Sequence, residues 1–207
     1  MKSETLRSYH HGDLRRALVE AGAQLAAEGG VGAVKTSTLA KQLGVSSGAP
    51  FRHFPTREAL LVTIAEEGAR QQLSAMHEAA EGLDHPGEAQ QAMGIAYVRW
   101  AVERPGYFRV LSRAESIAGS DLLRAQSQLH LDRMDADFAS KQADPNVRLL
   151  TGHSAAVLAA RAMVFGLARM CVDGLLGDVD ADTAARLAQE ITDVLGHGLA
   201  TLDGDPP

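Results

Sequence analysis

Apolar residues recur every three to four positions through most of the chain, which is the spacing of helices that bury one face. The pattern runs through residues 13–28, 56–76, 86–104 and 182–202. Glycine, proline and small polar residues separate these segments, where they predict helix ends and N-caps. Alanine is abundant and aromatic residues make up only 4% of the chain, which also favours helix over sheet. We therefore predict an all-α protein.

Residues 36–54 predict two short helices joined by a glycine-containing turn. Gly44 is expected in the left-handed conformation that ends the first of them. The second is predicted from Ser47 to His53, with Ser46 as its N-cap. Pro50 then falls in the first turn, where its missing N–H forfeits one hydrogen bond. Helix, turn and short second helix form the helix-turn-helix arrangement, whose second helix enters the major groove of DNA.

Charge is unevenly distributed along the chain. The first 60 residues hold eight Lys/Arg and five Asp/Glu, a net +3, and the other 147 hold 12 and 21, a net −9, which gives −6 in all. A basic N-terminal quarter can face a polyanion while the acidic remainder is repelled by it. The alternative interpretation is chance unevenness, which a net charge of +3 alone does not exclude.

The stretch "LAKQLGVSSGAPFRHFPTREALL", residues 39–61, resembles the DNA-binding domain of the tetracycline-repressor family of bacterial transcription regulators. The matching features are the "LA…LGVS" core, the "FRHF" end of the second short helix and the charged "TREALL" opening of the next helix. The resemblance implies an N-terminal three-helix helix-turn-helix domain over residues 1–56. It also implies a larger helical ligand-binding and dimerisation domain over residues 57–207.

The resemblance also implies which residues contact DNA. Pro50 and Phe54 are expected in the core. Thr36 is expected to touch phosphate from the first short helix. Because Lys35 stands where the family has a Ser/Thr cap, either Thr36 caps that helix instead or Lys35 touches phosphate. Arg52 contacts DNA through either a guanine edge or a phosphate, and the sequence leaves both open. The full predicted set is Lys35, Thr36, Ser47, Gly48, Ala49, Arg52, His53 and Arg57.

The last two long helices are predicted from about Val147 to Leu176 and from Asp182 to Leu202. Each carries more apolar surface than one buried side requires. In the family, these two helices pair with their copies in a second subunit as a four-helix bundle, which implies a homodimer. The expected interface residues are Leu187, Ile191, Val194, Leu195 and Leu199.

The resemblance further implies a small-molecule effector, which we expect to be largely apolar. Large apolar side chains at helical spacing either form a solid core or line a cavity, and the family favours a cavity. The expected lining residues are Met93, Tyr97, Trp100, Phe108, Met134, Met163, Phe165 and Met170.

Other kinds of chemistry lack a sequence signal. The eight histidines form no helical pair of metal ligands, and no phosphate-binding loop or nucleophile elbow occurs. We expect no metal, no cofactor and no catalysis. The single cysteine, Cys171, excludes an internal disulfide and is expected to be a small buried apolar residue.

The sequence thus predicts a cytoplasmic, DNA-binding, ligand-responsive repressor that acts as a dimer on a palindromic operator. An alternative hypothesis is a helical small-molecule binding protein with a degenerate helix-turn-helix. A third is an enzyme, for which no catalytic constellation is visible. Binding to duplex DNA separates the first hypothesis from the second, and turnover of a bound ligand would revive the third.

Overall fold

The computed structural model describes residues 11–113, 118–137 and 152–202. Within these ranges the regular secondary structure is helical, apart from one isolated bridge between Leu175 and Gly177. The all-α prediction is confirmed. The α-helices are α1 (His11–Gly29), α2 (Thr36–Gln42), α3 (Arg57–Ala80), α4 (Pro86–Glu103), α5 (Pro105–Leu111), α6 (Asp121–Asp137), α7 (Ala155–Val172) and α8 (Ala181–Leu202).

The chain divides into two compact units. The N-terminal unit comprises Met1–Gly68 with Gly106–Gly119, and the larger unit comprises Ala69–Pro105 with Ser120–Pro207. α3 contributes its first half to one unit and its second half to the other. The predicted domains, residues 1–56 and 57–207, were defined by the binding of DNA and of ligand. That division therefore stays a prediction.

The N-terminal unit packs α1, α2, α5 and the first half of α3 around fully buried Leu18, Leu39 and Ile64. α5 lies directly against the backbone of α1. A Cβ atom added to Gly106 would stand 1.9 Å from the carbonyl oxygen of Ala23, so only glycine fits there. Close helix packing therefore fixes the frame that holds the two short helices.

The larger unit is built on α4, α7 and α8, which pack against one another. α4 and α8 run antiparallel. Gln91 donates to Thr192 Oγ1 at 3.1 Å near one end of α4, and Arg99 forms an ion pair with Asp182 at 2.7 Å near the other. Gly94 lets α4 approach the other two helices closely, since its missing Cβ would lie 3.2 Å from a methyl of Val164.

α7 is shorter than the sequence predicts. The predicted start at Val147 lies outside the described residues, but the described turn after it shows that the helix begins at Ala155, with Ser154 as its N-cap. The Ser154 hydroxyl accepts from Val157 N at 3.3 Å. At the other end, Gly174 takes φ 72° and ends the helix at Val172 rather than at Leu176.

A buried carboxylate ties α6 to the start of α7. Asp135 lies 2.7 Å from His153 Nδ1 through one oxygen and accepts from the backbone N–H of Ser154 at 2.9 Å through the other. All three residues are buried. Because buried polar groups are costly when unpaired, this triplet holds the N-terminus of α7 in one position.

We predict that Asp135→Ala destabilises the protein. The substitution removes the carboxylate that accepts from the buried Ser154 N–H and contacts the His153 ring, and a buried polar group that loses its partner costs about 1–3 kcal/mol. Urea unfolding followed by circular dichroism measures the loss. Asp132→Ala is the matched control on the same helix, because Asp132 is exposed and its change should stay within about 0.5 kcal/mol. Equal midpoints for the two variants would contradict a structural role for Asp135.

Candidate nucleic-acid interface and ligand cavity

The turn that follows α2 has the geometry the sequence predicts. Gly44 has φ 67°, a conformation open to glycine at no steric cost. Val45 N donates back to the Ala40 carbonyl at 3.0 Å and Leu43 N donates to Leu39 at 2.9 Å, so the last carbonyls of α2 are satisfied. The chain therefore leaves α2 in a fixed direction.

The segment after this turn is not the α-helix that was predicted from Ser47 to His53. Residues 47–49 form turns, and a 3₁₀ helix spans Pro50–Arg52. Ala49 N donates to the Ser46 carbonyl at 2.9 Å, an i→i+3 bond, where the predicted helix requires i→i+4 bonds. Pro50 opens the 3₁₀ helix, a position that needs no N–H donor and suits the fixed φ of proline.

The two faces of this segment differ sharply. Pro50 and Phe54 are fully buried, as predicted, and anchor the segment to the core of the N-terminal unit. Ser47 and Gly48 are exposed, and a Cβ atom added to Gly48 would meet nothing within 4 Å. The result is a narrow exposed tip with almost no side-chain bulk, which we call the Ser47–Ala49 tip.

Arg15 on α1 contacts the C-terminal end of the segment, at His53 and Phe54. This role was not predicted from the sequence. Its guanidinium carbon lies 4.5 Å from the centre of the Phe54 ring, and Nη1 donates to the His53 carbonyl at 3.2 Å. The cation–π contact and the hydrogen bond both hold the residues that follow Arg52. The "R…F" pair is 39 positions apart in the chain, so helical periodicity gives no signal of it.

Arg57 also has an internal role that the sequence did not reveal. Its Nε donates to the Val34 carbonyl and its Nη2 to the Val31 carbonyl, both at 2.7 Å. The remaining Nη1 lies 3.5 Å from Glu58. Arg57 therefore fastens the loop before α2 to the start of α3, and its expected contact with phosphate stays a prediction.

Thr36 does not cap α2, although one of the predicted alternatives placed the N-cap there. Lys35, not Thr36, occupies the N-cap position, and no side-chain hydrogen bond caps the helix. Thr36 is thus the first helical residue and Lys35 is exposed beside it. By contrast Thr56 caps α3 as predicted, since its hydroxyl accepts from Ala59 N at 3.0 Å.

Cationic, polar and aromatic side chains precede and follow the Ser47–Ala49 tip in the chain. Arg52 and Lys41 are exposed, His53 is half-buried and Phe51 exposes 51% of its surface. The predicted DNA-contacting residues thus belong to α2, the segment 47–53 and the start of α3, and α2 packs against the 3₁₀ helix. An exposed tip of low bulk with an arginine beside it suits a groove lined by polyanionic strands.

The structure does not bring the eight predicted ligand-lining residues together. Phe108 is fully buried in the N-terminal unit, whereas the other seven belong to the larger unit. Met93, Trp100 and Met134 are buried, and Tyr97 and Met163 are half-buried. Phe165 and Met170 expose 39% and 40% of their surfaces on α7. Periodicity placed these side chains on apolar helix faces without showing which neighbour each face meets.

A cavity of about 270 Å³ does exist in the larger unit, and it is more polar than predicted. It shares only Met93 with the predicted set. Its lining combines apolar residues with three charged ones, Asp84, Arg133 and Asp137. The lining residues are His77, Ala80, Leu83, Asp84, Pro86, Ala89, Gln90, Met93, Arg133 and Asp137.

Comparison with known families matches both parts of the chain. Residues 18–64 match the profile "Bacterial regulatory proteins, tetR family", and residues 90–195 match "Tetracyclin repressor-like, C-terminal domain". The chain belongs to the tetracycline-repressor family. It is a DNA-binding transcription regulator whose N-terminal domain carries the helix-turn-helix and whose C-terminal domain is the ligand-binding part.

The chain is also similar to individual proteins. The nucleoid occlusion factor SlmA of Actinobacillus pleuropneumoniae serotype 5b (strain L20) is 29% identical over 118 residues, which cover 56% of this chain. The match spans 57% of the length of that relative. A solved structure of a protein of unknown function from Rhodococcus sp. RHA1 is 26% identical, with a TM-score of 0.67 over 94% of this chain and 99% of the other.

AibR, solved in complex with isovaleryl coenzyme A and operator DNA, shares the fold. It has a TM-score of 0.64 at 15% identity, over 86% of this chain and 97% of its own. This likeness agrees with the predicted fold class, and the two family profiles confirm the predicted family.

For this tetracycline-repressor family member we predict that Arg57→Ala lowers stability. It removes two hydrogen bonds from a charged donor, and since one such bond contributes about 1.5–3 kcal/mol, the loss should be at least about 1.5 kcal/mol. Chemical unfolding of the purified protein measures the change. The control is Arg52→Ala, an exposed arginine five positions away, which should stay within about 0.5 kcal/mol. If Arg57→Ala unfolds at the wild-type midpoint, the internal role assigned to Arg57 is wrong.

Proposed function

We propose that this regulator binds a palindromic operator as a homodimer and releases it when a small molecule occupies the larger unit. The observation that carries the DNA-reading part is the Ser47–Ala49 tip, held from behind by buried Pro50 and Phe54. We further propose that it acts as a repressor in the cytoplasm. Members of this family are transcription regulators, and we propose no catalytic role for this one.

The Ser47–Ala49 tip is proposed to enter the major groove. Ser47 and Gly48 are exposed and have little bulk, so the backbone can approach base edges in a groove about 12 Å wide. Arg52 stands exposed beside the tip and is proposed to read a guanine through O6 and N7. Ala49, the last residue of the tip, is half-buried.

Phosphate contacts are proposed on both sides of the groove. Lys35 and Thr36 lie at the start of α2, and His53 follows Arg52. The net charge of +3 in residues 1–60 supports this orientation, because the remaining −9 disfavours approach by any other face.

Arg52→Ala tests the base-reading role. On a duplex operator selected from random DNA, the variant should lose about 1–3 kcal/mol of binding free energy and accept other bases at one position of each half-site. Lys35→Ala is the matched control, since loss of a phosphate contact weakens all sequences alike. Gel-shift titration against operators with single base changes separates the two patterns. An unchanged base profile for Arg52→Ala would assign Arg52 to phosphate instead.

The dimer is proposed to form through α7 and α8. In the single chain, Val194 on α8 exposes 69% of its surface, and exposed Phe165 and Met170 lie on α7. Ala162 and Gly166 share that side of α7, where small residues let a second helix approach. We thus propose that Phe165 and Met170 contact the partner subunit, although they were first expected to line the ligand cavity.

The five predicted interface residues are not equivalent. Leu187 and Ile191 are half-buried and share a helix face with Val194. Leu195 instead packs inside its own chain, against a buried cluster of Leu131, Met134, Val157 and Ala160. The side chain of Leu199 lies outside the described part of the structure. A substitution at Leu195 would therefore disturb folding as well as assembly, so Val194 is the better probe.

Val194→Glu should convert the dimer to a monomer, because a charge would be buried in an apolar interface. Sedimentation velocity of the purified variant measures the state. Ala125→Glu adds the same charge at an exposed site on α6 and should leave the dimer intact. A fully dimeric Val194→Glu protein would place the interface elsewhere. If the two helix-turn-helix units of a dimer bind one face of the duplex, the half-sites of the operator must lie about 34–36 Å apart, or a multiple of that spacing.

The effector is proposed to bind in the larger unit and to favour a state of lower operator affinity. The cavity of about 270 Å³ supports this, as does the complex of AibR with isovaleryl coenzyme A and operator DNA. The apolar part of the ligand is proposed to lie against Met93, Ala80 and Ala89. Only a ligand that discriminates between two states of the protein can release DNA.

A further inference from the structure

Phe51 is an exposed aromatic residue on the DNA-binding segment. It exposes 51% of its surface, whereas its neighbours Pro50 and Phe54 are fully buried. Among the residues that the structure describes in the N-terminal unit, it is the one large apolar side chain that is exposed. Apolar surface left in water gives up the free energy of burial. The Phe51 ring therefore gains from an apolar partner that the unit meets on binding.

The winding of the backbone places Phe51 on the same side of the segment as Gly48. Arg52 N donates to the Ala49 carbonyl at 3.2 Å, an i→i+3 bond, and the turn before it is closed by a bond of the same kind. Residues three apart then lie one above the other. Gly48 is exposed and has no side chain that could cover the ring. The ring is thus open on the side that carries the Ser47–Ala49 tip.

No cation–π or ring–ring contact covers Phe51 within the described part of the chain. The contrast with Phe54, three residues later, is clear. The guanidinium carbon of Arg15 lies 4.5 Å from the centre of the Phe54 ring, which is itself buried in the core of the N-terminal unit. Phe54 therefore serves the fold, and the exposed half of Phe51 is left for a partner outside the chain.

The chemistry of a phenyl ring restricts what that partner can be. The Phe51 side chain has no hydrogen-bond donor or acceptor, so it cannot bind a phosphate or pair with the polar edge of a base. In the major groove, the apolar feature that distinguishes one base pair from another is the C5-methyl group of thymine, and phenylalanine is one of the side chains suited to it. Since the segment belongs to the DNA-binding domain, this methyl group is the matching partner.

We propose that Phe51 recognises one thymine in each operator half-site through contact between its ring and the thymine C5-methyl group. The proposal rests on the proposed function and adds a second base-reading residue to it. Arg52 and Phe51 then recognise different chemistry from adjacent positions, because a guanidinium binds the acceptors of guanine and a phenyl ring binds a methyl group.

Replacement of thymine by uracil tests this contact without any change in the protein. Uracil lacks the C5-methyl group and keeps every hydrogen-bonding group of thymine. The full-length protein selects an operator from random duplex DNA, and each thymine of that operator is then replaced in turn. Loss of the methyl group that Phe51 contacts should weaken binding by about fourfold, which corresponds to about 0.8 kcal/mol for one buried carbon group. Fluorescence anisotropy titration measures the affinities.

Variants of Phe51 assign the methyl contact to this residue. Phe51→Ala should bind the thymine and uracil operators equally at the sensitive position. Phe51→Leu keeps an apolar side chain and should keep most of the preference for thymine. Arg52→Ala is the matched control, since it should lose the preference for guanine and retain the full preference for thymine over uracil. Each preference is a ratio of two affinities of the same variant, so a change in the fraction of folded protein cancels.

Methylation of cytosine gives an independent test. Cytosine placed at the sensitive position should weaken binding by the wild-type protein. 5-Methylcytosine should restore part of that loss, because it returns a methyl group to the same place in the major groove. Phe51→Ala should bind the cytosine and 5-methylcytosine operators equally.

An operator in which no uracil replacement weakens binding would overturn the proposal. So would a Phe51→Ala protein that still prefers thymine, because another residue would then contact the methyl group. If Phe51→Ala weakens operator and random duplexes alike and leaves every thymine-to-uracil ratio unchanged, the ring contacts the sugar–phosphate backbone instead. Failure of the proposed function gives a different result, since the wild-type protein would then select no operator from random DNA.

Discussion

Burial of Pro50 and Phe54 is the constraint on which the DNA-binding unit depends. These two side chains are fully buried, and the residues before them form an exposed tip that has almost no side chains to hold it. The position of the tip is therefore set by these two buried side chains. Arg15 covers the Phe54 ring, and Arg57 fastens the loop before α2 to α3. A tip with so little side-chain bulk can keep one position only because the large side chains next to it in the chain are buried.

In the larger unit, by contrast, only some of the buried polar groups have hydrogen-bond partners among the described residues. The Asp135 triplet fixes the start of α7, and Gln91 and Arg99 fix α4 against α8. The exceptions are Nε1 of Trp100 and Oε1 of Gln126, which have no hydrogen-bond partner among the described residues.

Much of the fold could be predicted from the sequence, because glycine, proline and capping residues act locally. Gly44, Thr56 and the limits of α4 follow from such signals. Contacts between distant positions could not be predicted, and the roles of Arg15 and Arg57 are of this kind. Helical periodicity showed that Phe165 and Met170 share apolar faces, but not whether those faces meet a cavity or a partner. The 3₁₀ form of residues 50–52 was also missed, since the pattern is too short to separate it from an α-helix.

The salt dependence of operator binding tests the central claim most directly. The claim is that the basic N-terminal unit presents its bare tip to duplex DNA while cationic side chains hold the phosphates. The affinity for a selected operator should then fall steeply as salt rises, with a slope of about −0.9 per phosphate neutralised in a plot of log affinity against log salt. Random duplex DNA should bind far more weakly at every salt concentration. Affinity that is independent of salt, or equal for operator and random DNA, would contradict the account.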